Sequence, residues 1–312
     1  MNSVLVLLST YNGEKYLRDQ LDSLYRQRDV DVHILVRDDG SQDKTTSVLD
    51  EYRNTYGKMT LIKEPNLGSK RSFYRLVQLS YEMNFEYDYY AFCDQDDVWD
   101  DDKLVTAVRA LEQIDSPYKL YYCNPSLVDA DLSPMQDVDC ETEQSLVSTI
   151  ISSHSLGCTQ VMNKLVLRQM MRINSHMEMI EDDSYLPQHD TWAVITTRSL
   201  NGVVYYDKGR HIKYRQHQSN VVGGGSKNAF ITFKTRFKRH YNKPNHRSRL
   251  AGLTYKIYGG DIHSEAREDV YLMANYRDSI LARLALFFSS RIKTGNLSID
   301  MPMKLMIILG YF

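Results

Sequence analysis

Cysteine is scarce: Cys93, Cys123, Cys140 and Cys158 are spread along a chain of 312 residues, and no C-x-x-C pair occurs. That argues against a disulfide framework or a cysteine-ligated zinc site and for a reducing compartment. Charge of one sign is also lacking, the formal net charge being -2, so no polyanion is implied as a global partner and nucleic acid is not expected. The apolar stretches at 4–8 and 306–312 are too short to span a bilayer. The N-terminus lacks the basic start and small-residue cleavage site of a signal peptide. Two phosphate-binding devices are missing: no G-x-G-x-x-G follows the first apolar run, and there is no G-x-x-x-x-G-K-S/T. With no repeat or low-complexity linker, the length suits one large domain or a domain with an appended lobe.

What is present begins with Tyr89-Tyr90-Ala91-Phe92-Cys93, a short buried strand by pattern, which stops at Asp94-Gln95-Asp96-Asp97. Ligands of open α/β sheets sit beyond the carboxyl ends of strands. The spacing therefore predicts that Asp94, Asp96 and Asp97 enter one crevice. Carboxylates so close repel unless something positive lies among them, and Mg²⁺ or Mn²⁺ is the simplest such object. The plainer reading is an acidic turn before a helix, which suits Asp100, Asp101 and Asp102.

Upstream, strand-like and helix-like stretches alternate. Strands are expected at 3–8, 32–36 and 59–62, with helices at 14–27, 43–56 and 70–84. Phe73, Leu76, Val77 and Tyr81 form the inner face of the third helix. The alternation predicts a mostly parallel sheet with helices on both faces. The turns Ser9-Thr10-Tyr11-Asn12-Gly13 and Arg37-Asp38-Asp39-Gly40-Ser41 offer hydroxyls, an amide and acids. Asp39 can accept from a base N–H or a ribose hydroxyl, leaving phosphates to a metal.

Downstream, a helix is expected at 102–114, a strand at 119–123, a hairpin or loop at 126–135 and strands at 202–206 and 211–214. In Pro187-Gln188-His189-Asp190-Thr191-Trp192, Asp190 is either the N-cap of a helix or a base facing the crevice. Gly223-Gly224-Gly225 marks a loop that closes over a ligand or a hinge. Lys227 to Arg249 is basic with interleaved Phe230, Phe233, Phe237 and Tyr241, either a solvated helix face or a contact with anionic lipid. Residues 265–289 read as one long helix whose stripe of Leu272, Tyr276, Ile280, Leu284 and Phe287 packs on the main domain. Residues 302–312 are a docked helix or a second membrane contact. Tyrosine, at 23 residues, serves either packing or sugar stacking.

Ser9-Thr10-Tyr11-Asn12-Gly13-Glu14, Arg37-Asp38-Asp39-Gly40-Ser41-Gln42-Asp43, Asp94-Gln95-Asp96-Asp97-Val98-Trp99, His189-Asp190-Thr191-Trp192 and Tyr214-Arg215-Gln216-His217-Gln218-Ser219-Asn220-Val221 together resemble the family 2 glycosyltransferases. The pattern is most similar to the bacterial branch of rhamnosyltransferases for cell-wall and capsular polysaccharides. The resemblance implies an α/β GT-A fold over residues 1–225, with a nucleotide-sugar-binding half at 1–125 and an acceptor half at 126–225. A mostly helical, membrane-associating region at 226–312 would follow. It implies inverting transfer of a hexose-type sugar from a UDP- or dTDP-sugar, such as dTDP-rhamnose, to a lipid-linked saccharide acceptor on the cytoplasmic face of the membrane. Thr10, Asn12, Asp39 and Asp94 match nucleotide-sugar-binding positions, and Asp96 matches a ligand of Mn²⁺ or Mg²⁺. Asp190 matches the general base. His217 matches a histidine that completes the metal shell in some members, though it can equally contact the diphosphate or brace a loop. Arg215 is placed to meet the diphosphate. The rivals are a non-catalytic nucleotide-sugar-binding protein, a metal-dependent phospho- or nucleotidyltransferase, and a polyanion-binding module at 227–249.

Overall fold

A computed structural model of the chain describes residues 1–135, 137, 139–141, 145–152, 156–180, 182–217 and 245–312. The first half alternates as expected: β1 (Ser3–Thr10), α1 (Leu17–Tyr25), β2 (Asp31–Asp38), α2 (Thr45–Tyr56), β3 (Met59–Lys63), α3 (Ser69–Glu82) and β4 (Tyr89–Cys93). A short β5 (Val98–Trp99) and α4 (Lys103–Glu112) lead to β6 (Lys119–Val128). Then come α5 (Leu146–Ile151), β7 (Val161–Asn163), α6 (Lys164–Met170), α7 (His189–Ser199) and β8 (Val203–Arg215). Four helices close the chain: α8 (His246–Tyr258), α9 (Ser264–Asn275), α10 (Ile280–Phe288) and α11 (Leu297–Leu309).

The strands form one sheet in the order β3-β2-β1-β4-β7-β6-β8-β5. From β3 to β4 all neighbours are parallel. The sense reverses at β7, which runs antiparallel to both β4 and β6. The period of two along β1 explains why the sheet is covered on both faces. Val4, Val6 and Leu8 enter the apolar cluster that α1, α2 and α4 complete. Leu5 and Leu7 point the other way, into a cluster with α3, α5, α6 and α7. Leu250, Ala251, Val270, Met273 and Met303 of the C-terminal helices join that second cluster, so these helices share the core of the sheet.

Several expectations are corrected. Residues 203–215 form one strand rather than two, because β8 pairs with β6 through register shifts at Asn124. For the same reason β6 runs on to Val128, into what the sequence suggested was a hairpin or loop. The long helix expected at 265–289 breaks in two. Asp278 N–H donates to Asn275 O, and Ser279 restarts the helix by accepting from the Ala282 N–H at 3.0 Å. Tyr81 is 58% exposed, and Ile280 at 77% and Leu284 at 46% do not pack on the main domain. Within the basic segment, Arg247 is buried and donates to Ile151 O at 2.9 Å, so it is a core residue. The glycine-rich loop, the boundary at 225 and residues 227–244 lie outside the described residues. No helix among the described residues is long and apolar enough to cross a membrane.

Candidate active site

The turns after β1, β2 and β4 meet at the carboxyl ends of the parallel strands and interlock through short polar side chains. Asn12 N–H donates to Ser41 Oγ at 2.9 Å, while Asn12 Oδ1 accepts from Gln42 N–H at 2.8 Å. Gly13 N–H donates to Thr45 Oγ1 at 2.8 Å. Gln95 fastens the acidic turn to the first turn by accepting from Tyr11 N–H at 2.8 Å and donating to Tyr11 O at 3.0 Å. Nothing in the sequence marks Gln95 beyond its place inside the acidic run. Gly40 adopts φ +81°, a left-handed conformation that glycine takes without the Cβ clash, and this turns the chain directly after Asp39.

A cavity of about 970 Å³ opens over these turns. Asn12, Asp39, Asp94, Asp96, Asp190 and His217 all line it. Thr10 and Arg215 do not line it; the fold uses them elsewhere. Thr10 is buried and donates to Asp38 Oδ1 at 3.1 Å. Arg215 is buried and donates to Asp96 O at 2.8 Å, Ala130 O at 2.5 Å and Asp19 Oδ2 at 2.7 Å. Its guanidinium also lies over the Tyr16 ring, 4.4 Å from the centroid. Arg215 thus brackets the acidic turn against α1.

Asp39 is almost fully engaged by its own fold. It accepts from Arg37, from Leu67 N–H at 2.7 Å and from Gly68 N–H at 2.9 Å. A carboxylate has about four acceptor positions, so among the described residues one position on Oδ2 is left over.

The acids of the β4 turn separate in role. Asp94 lines the cavity, and its carboxyl is pushed up to about 7 by burial first, then by the negative charges of Asp96 and Asp190. Asp96 lies 2.8 Å, Oδ2 to Nε2, from His217. Asp97 turns away from the crevice, a correction to the expected trio. It is buried, accepts from the Arg215 N–H at 3.1 Å and does not line the cavity. Burial pushes its carboxyl well up, with Asp96 and Asp94 adding to the effect.

Asp94, Asp97 and Cys158 each bring one ligand-type atom within 4.8 Å of the others. Asp97 is committed to the Arg215 N–H and does not line the cavity. Asp96 and His217, on the cavity wall, are a better donor set. A carboxylate with an imidazole suits Mn²⁺ more than Mg²⁺, which prefers oxygen alone.

Across the cavity, Asp190 sits in the first turn of α7. The expected N-cap role goes unfilled: the N-cap residue is Gln188, with no side-chain cap. Burial pushes the Asp190 carboxyl up to about 6, opposed by N–H donors from Thr191 and Gly157. Its neighbour His189 stands out in the sequence only as part of the motif. It is buried, lines the cavity and stacks on Phe73 with ring centroids 3.7 Å apart.

The cavity therefore sets a charge-rich wall, at the ends of β1, β2 and β4, against a single desolvated carboxyl on α7. A family model described as glycosyl transferase family 2 matches residues 5–141. The chain is 31% identical over 238 residues to the dTDP-rhamnosyl transferase RfbG of Shigella flexneri, covering 74% of this chain and 77% of that protein. Its fold is similar to that of S. aureus TarS 1–349, solved with UDP-GlcNAc, at a TM-score of 0.56 and 14% identity over 92% of this chain and 76% of the other. It is also similar to the mannosyltransferase PcManGT of Pyrobaculum calidifontis, solved with GDP-Man and Mn²⁺. There the TM-score is 0.51 and the identity 14%, over 98% of this chain and 85% of the other.

Proposed function

The chain belongs to glycosyltransferase family 2, and on that premise we propose that it transfers a sugar from a dTDP- or UDP-sugar, with dTDP-rhamnose the first candidate, to a hydroxyl of a lipid-linked surface polysaccharide with inversion at the anomeric carbon. The supporting observation is that Asp190 faces the cavity from α7 while Asp39, Asp94 and Asp96 reach the same cavity from the sheet. The acceptor oxygen bonds to the anomeric carbon from the face opposite the diphosphate. The carbon–phosphate-oxygen bond breaks, and the nucleoside diphosphate leaves with the bonding pair. The acceptor proton passes to an Asp190 carboxylate oxygen. A base poised at about 6 is ionised at neutral pH yet basic enough to take that proton, and such catalysis is worth roughly 10²–10⁴-fold.

Asp39 and Asn12 hold the nucleoside in this reading, and Asp94 meets the donor sugar. Asp96 and His217 would hold a divalent cation, Mn²⁺ or Mg²⁺, which when bound supplies charge stabilisation to the leaving diphosphate. Arg215 acts through Asp96 and the acidic turn rather than on the phosphates.

Peripheral attachment to the inner face of the membrane is the final part of the proposal. Leu281, Leu284 and Phe288 of α10 are exposed, as are Leu297, Met301, Leu305, Ile308 and Leu309 of α11. The two helices adjoin, with Arg283 reaching Ile308 O and the Lys304 Nζ lying 5.5 Å from the Phe287 ring centroid. Apolar side chains beside cations suit an anionic bilayer surface.

The test is a transfer assay with dTDP-rhamnose, UDP-GlcNAc and GDP-mannose against extracted lipid-linked acceptor, with the product anomer read by NMR. Transfer from dTDP-rhamnose giving the anomer opposite to the donor's supports the proposal. Retention of configuration, or cleavage between the phosphates, contradicts it.

A further inference from the structure

His189 is 7% exposed, and among the described residues neither Nδ1 nor Nε2 has a hydrogen-bond partner. A neutral imidazole carries one donor and one acceptor, and leaving both unmet in a buried position costs free energy that a fold ordinarily avoids. Here the structure fixes the ring in place instead of satisfying it. Phe73 stacks on one face at 3.7 Å, and Phe92 meets it edge-on at 4.6 Å. Gly157 packs so closely that a Cβ there would sit 2.4 Å from Nε2. Phe73, Gly157, His189 and Asp190 all line the same cavity. The ring is thus rigid, apolar on its faces and polar only at its two nitrogens, next in sequence to the proposed base.

Resting on the glycosyltransferase reading, we propose that His189 is a specificity-determining residue that hydrogen-bonds a hydroxyl of the sugar delivered to Asp190. An acid–base role does not suit it, because burial holds the imidazole down to about 3 and so keeps it neutral throughout the working range. A metal-ligand role would require a partner ligand beside the ring, and the groups packed against it are the Phe73 and Phe92 rings and Gly157. The hydroxyl belongs either to the donor sugar or to the acceptor sugar. The chemistry is the same, and the two are separable by experiment.

The first readout uses the unaltered protein. Its histidines are labelled with ¹⁵N, and the His189 side-chain resonances, assigned by their loss in His189→Gln, are followed on titration. dTDP alone should bind and leave them in place. A shift on adding dTDP-rhamnose assigns the donor sugar. A shift only on adding octyl α-L-rhamnoside or octyl β-D-N-acetylglucosaminide to the dTDP complex assigns the acceptor.

The second readout is kinetic. His189→Leu fills the space without polar atoms and should lower kcat/KM roughly 10- to 100-fold, the usual consequence of losing one buried hydrogen bond to a ligand. dTDP affinity should not change. His189→Gln, which keeps a donor and an acceptor, should recover part of the loss. A monodeoxy sugar lacking the hydroxyl that His189 reads should be handled equally by the wild type and His189→Leu. If dTDP and the sugars bind but the His189 resonances stay fixed and His189→Leu transfers at the wild-type rate, the inference is overturned while the glycosyltransferase reading stands. If neither dTDP nor UDP binds, the reading itself falls and takes this inference with it.

Discussion

Burial raises a carboxyl on each wall of the cavity, Asp94 and Asp190, but the walls differ in how their other polar groups are paired. On the sheet wall, polar groups are paired by the fold before any ligand arrives: Asp39 with Arg37 and two backbone N–H groups, Asn12 with Ser41 and Gln42, Asp38 with Thr10 and Ser41. On the α7 wall, His189 has no hydrogen-bond partner among the described residues, and burial pushes the Asp190 carboxyl up although Thr191 and Gly157 donate to it. A preorganised wall suits a ligand part that must be held the same way each turnover, such as a nucleoside. An undersatisfied wall suits groups whose protons and hydroxyls change partners during reaction. The contrast is one between positioning and chemistry.

This contrast can be broken at the sheet wall first. Arg37 is fully buried and pairs with both Asp39 and Glu64. Arg37→Met should strand Asp39 and cost about 3–5 kcal/mol, read as a lower urea midpoint, together with weaker nucleoside diphosphate binding. A midpoint equal to that of the wild type would mean that the wall is not held by this pair. A smaller effect is expected at the metal position. Asp96→Asn should weaken Mn²⁺-dependent dTDP binding roughly tenfold or more, since one charged ligand is lost, and should leave the metal-free affinity as it was. Equal titrations with and without Mn²⁺ in both proteins would remove the metal from the account.

The α7 wall predicts an inverted pH response. A carboxyl raised to about 6 in the folded protein, from a usual value of 3.8, binds more protons folded than unfolded between those limits. Its contribution to stability therefore falls as pH rises through that window. Asp190→Asn, neutral at every pH, should match the wild type below pH ~4 and be the more stable of the two at pH 7. Thermal melts at both pH values check the sign, and a wild type more stable at pH 7 would show that Asp190 is not desolvated. The smallest effect concerns the C-terminal face. Leu305→Glu, at a 39% exposed position, should leave transfer to a soluble acceptor unchanged and reduce sedimentation with phosphatidylglycerol vesicles. Unreduced sedimentation would free α11 from membrane contact.

The sequence made the sheet wall more legible than the α7 wall, for a physical reason. Alternating β and α stretches place the turns of the first half at the same end of a parallel sheet, so the turns that carry Asp39, Asp94 and Asp96 follow from pattern. The same pattern wrongly groups Asp97 with them, and the role of Asn12 rests on the family resemblance. Thr10 and Arg215 stand in the motif turns, but their partners Asp38 and Asp19 are not legible there. Arg215 meets Asp19, a residue far away in sequence, and pairings across that distance leave no local periodicity. His189 was visible as a letter in a motif, but its lack of partners follows from how Phe73, Phe92 and Gly157 converge on it. Of the C-terminal stripe, Leu272, Tyr276 and Phe287 pack on the core while Ile280 and Leu284 do not: helical spacing of apolar residues says that a face is apolar, not what covers it. Leu286 is buried while Leu284, two positions earlier, is 46% exposed.

The measurement that tests the division between the walls most directly is Asp190→Asn, assayed for turnover and for dTDP-rhamnose affinity in the same preparation. The account predicts that transfer falls by roughly 10²–10⁴-fold while donor affinity stays near the wild-type value. Undiminished transfer, or loss of donor binding in step with turnover, would contradict it.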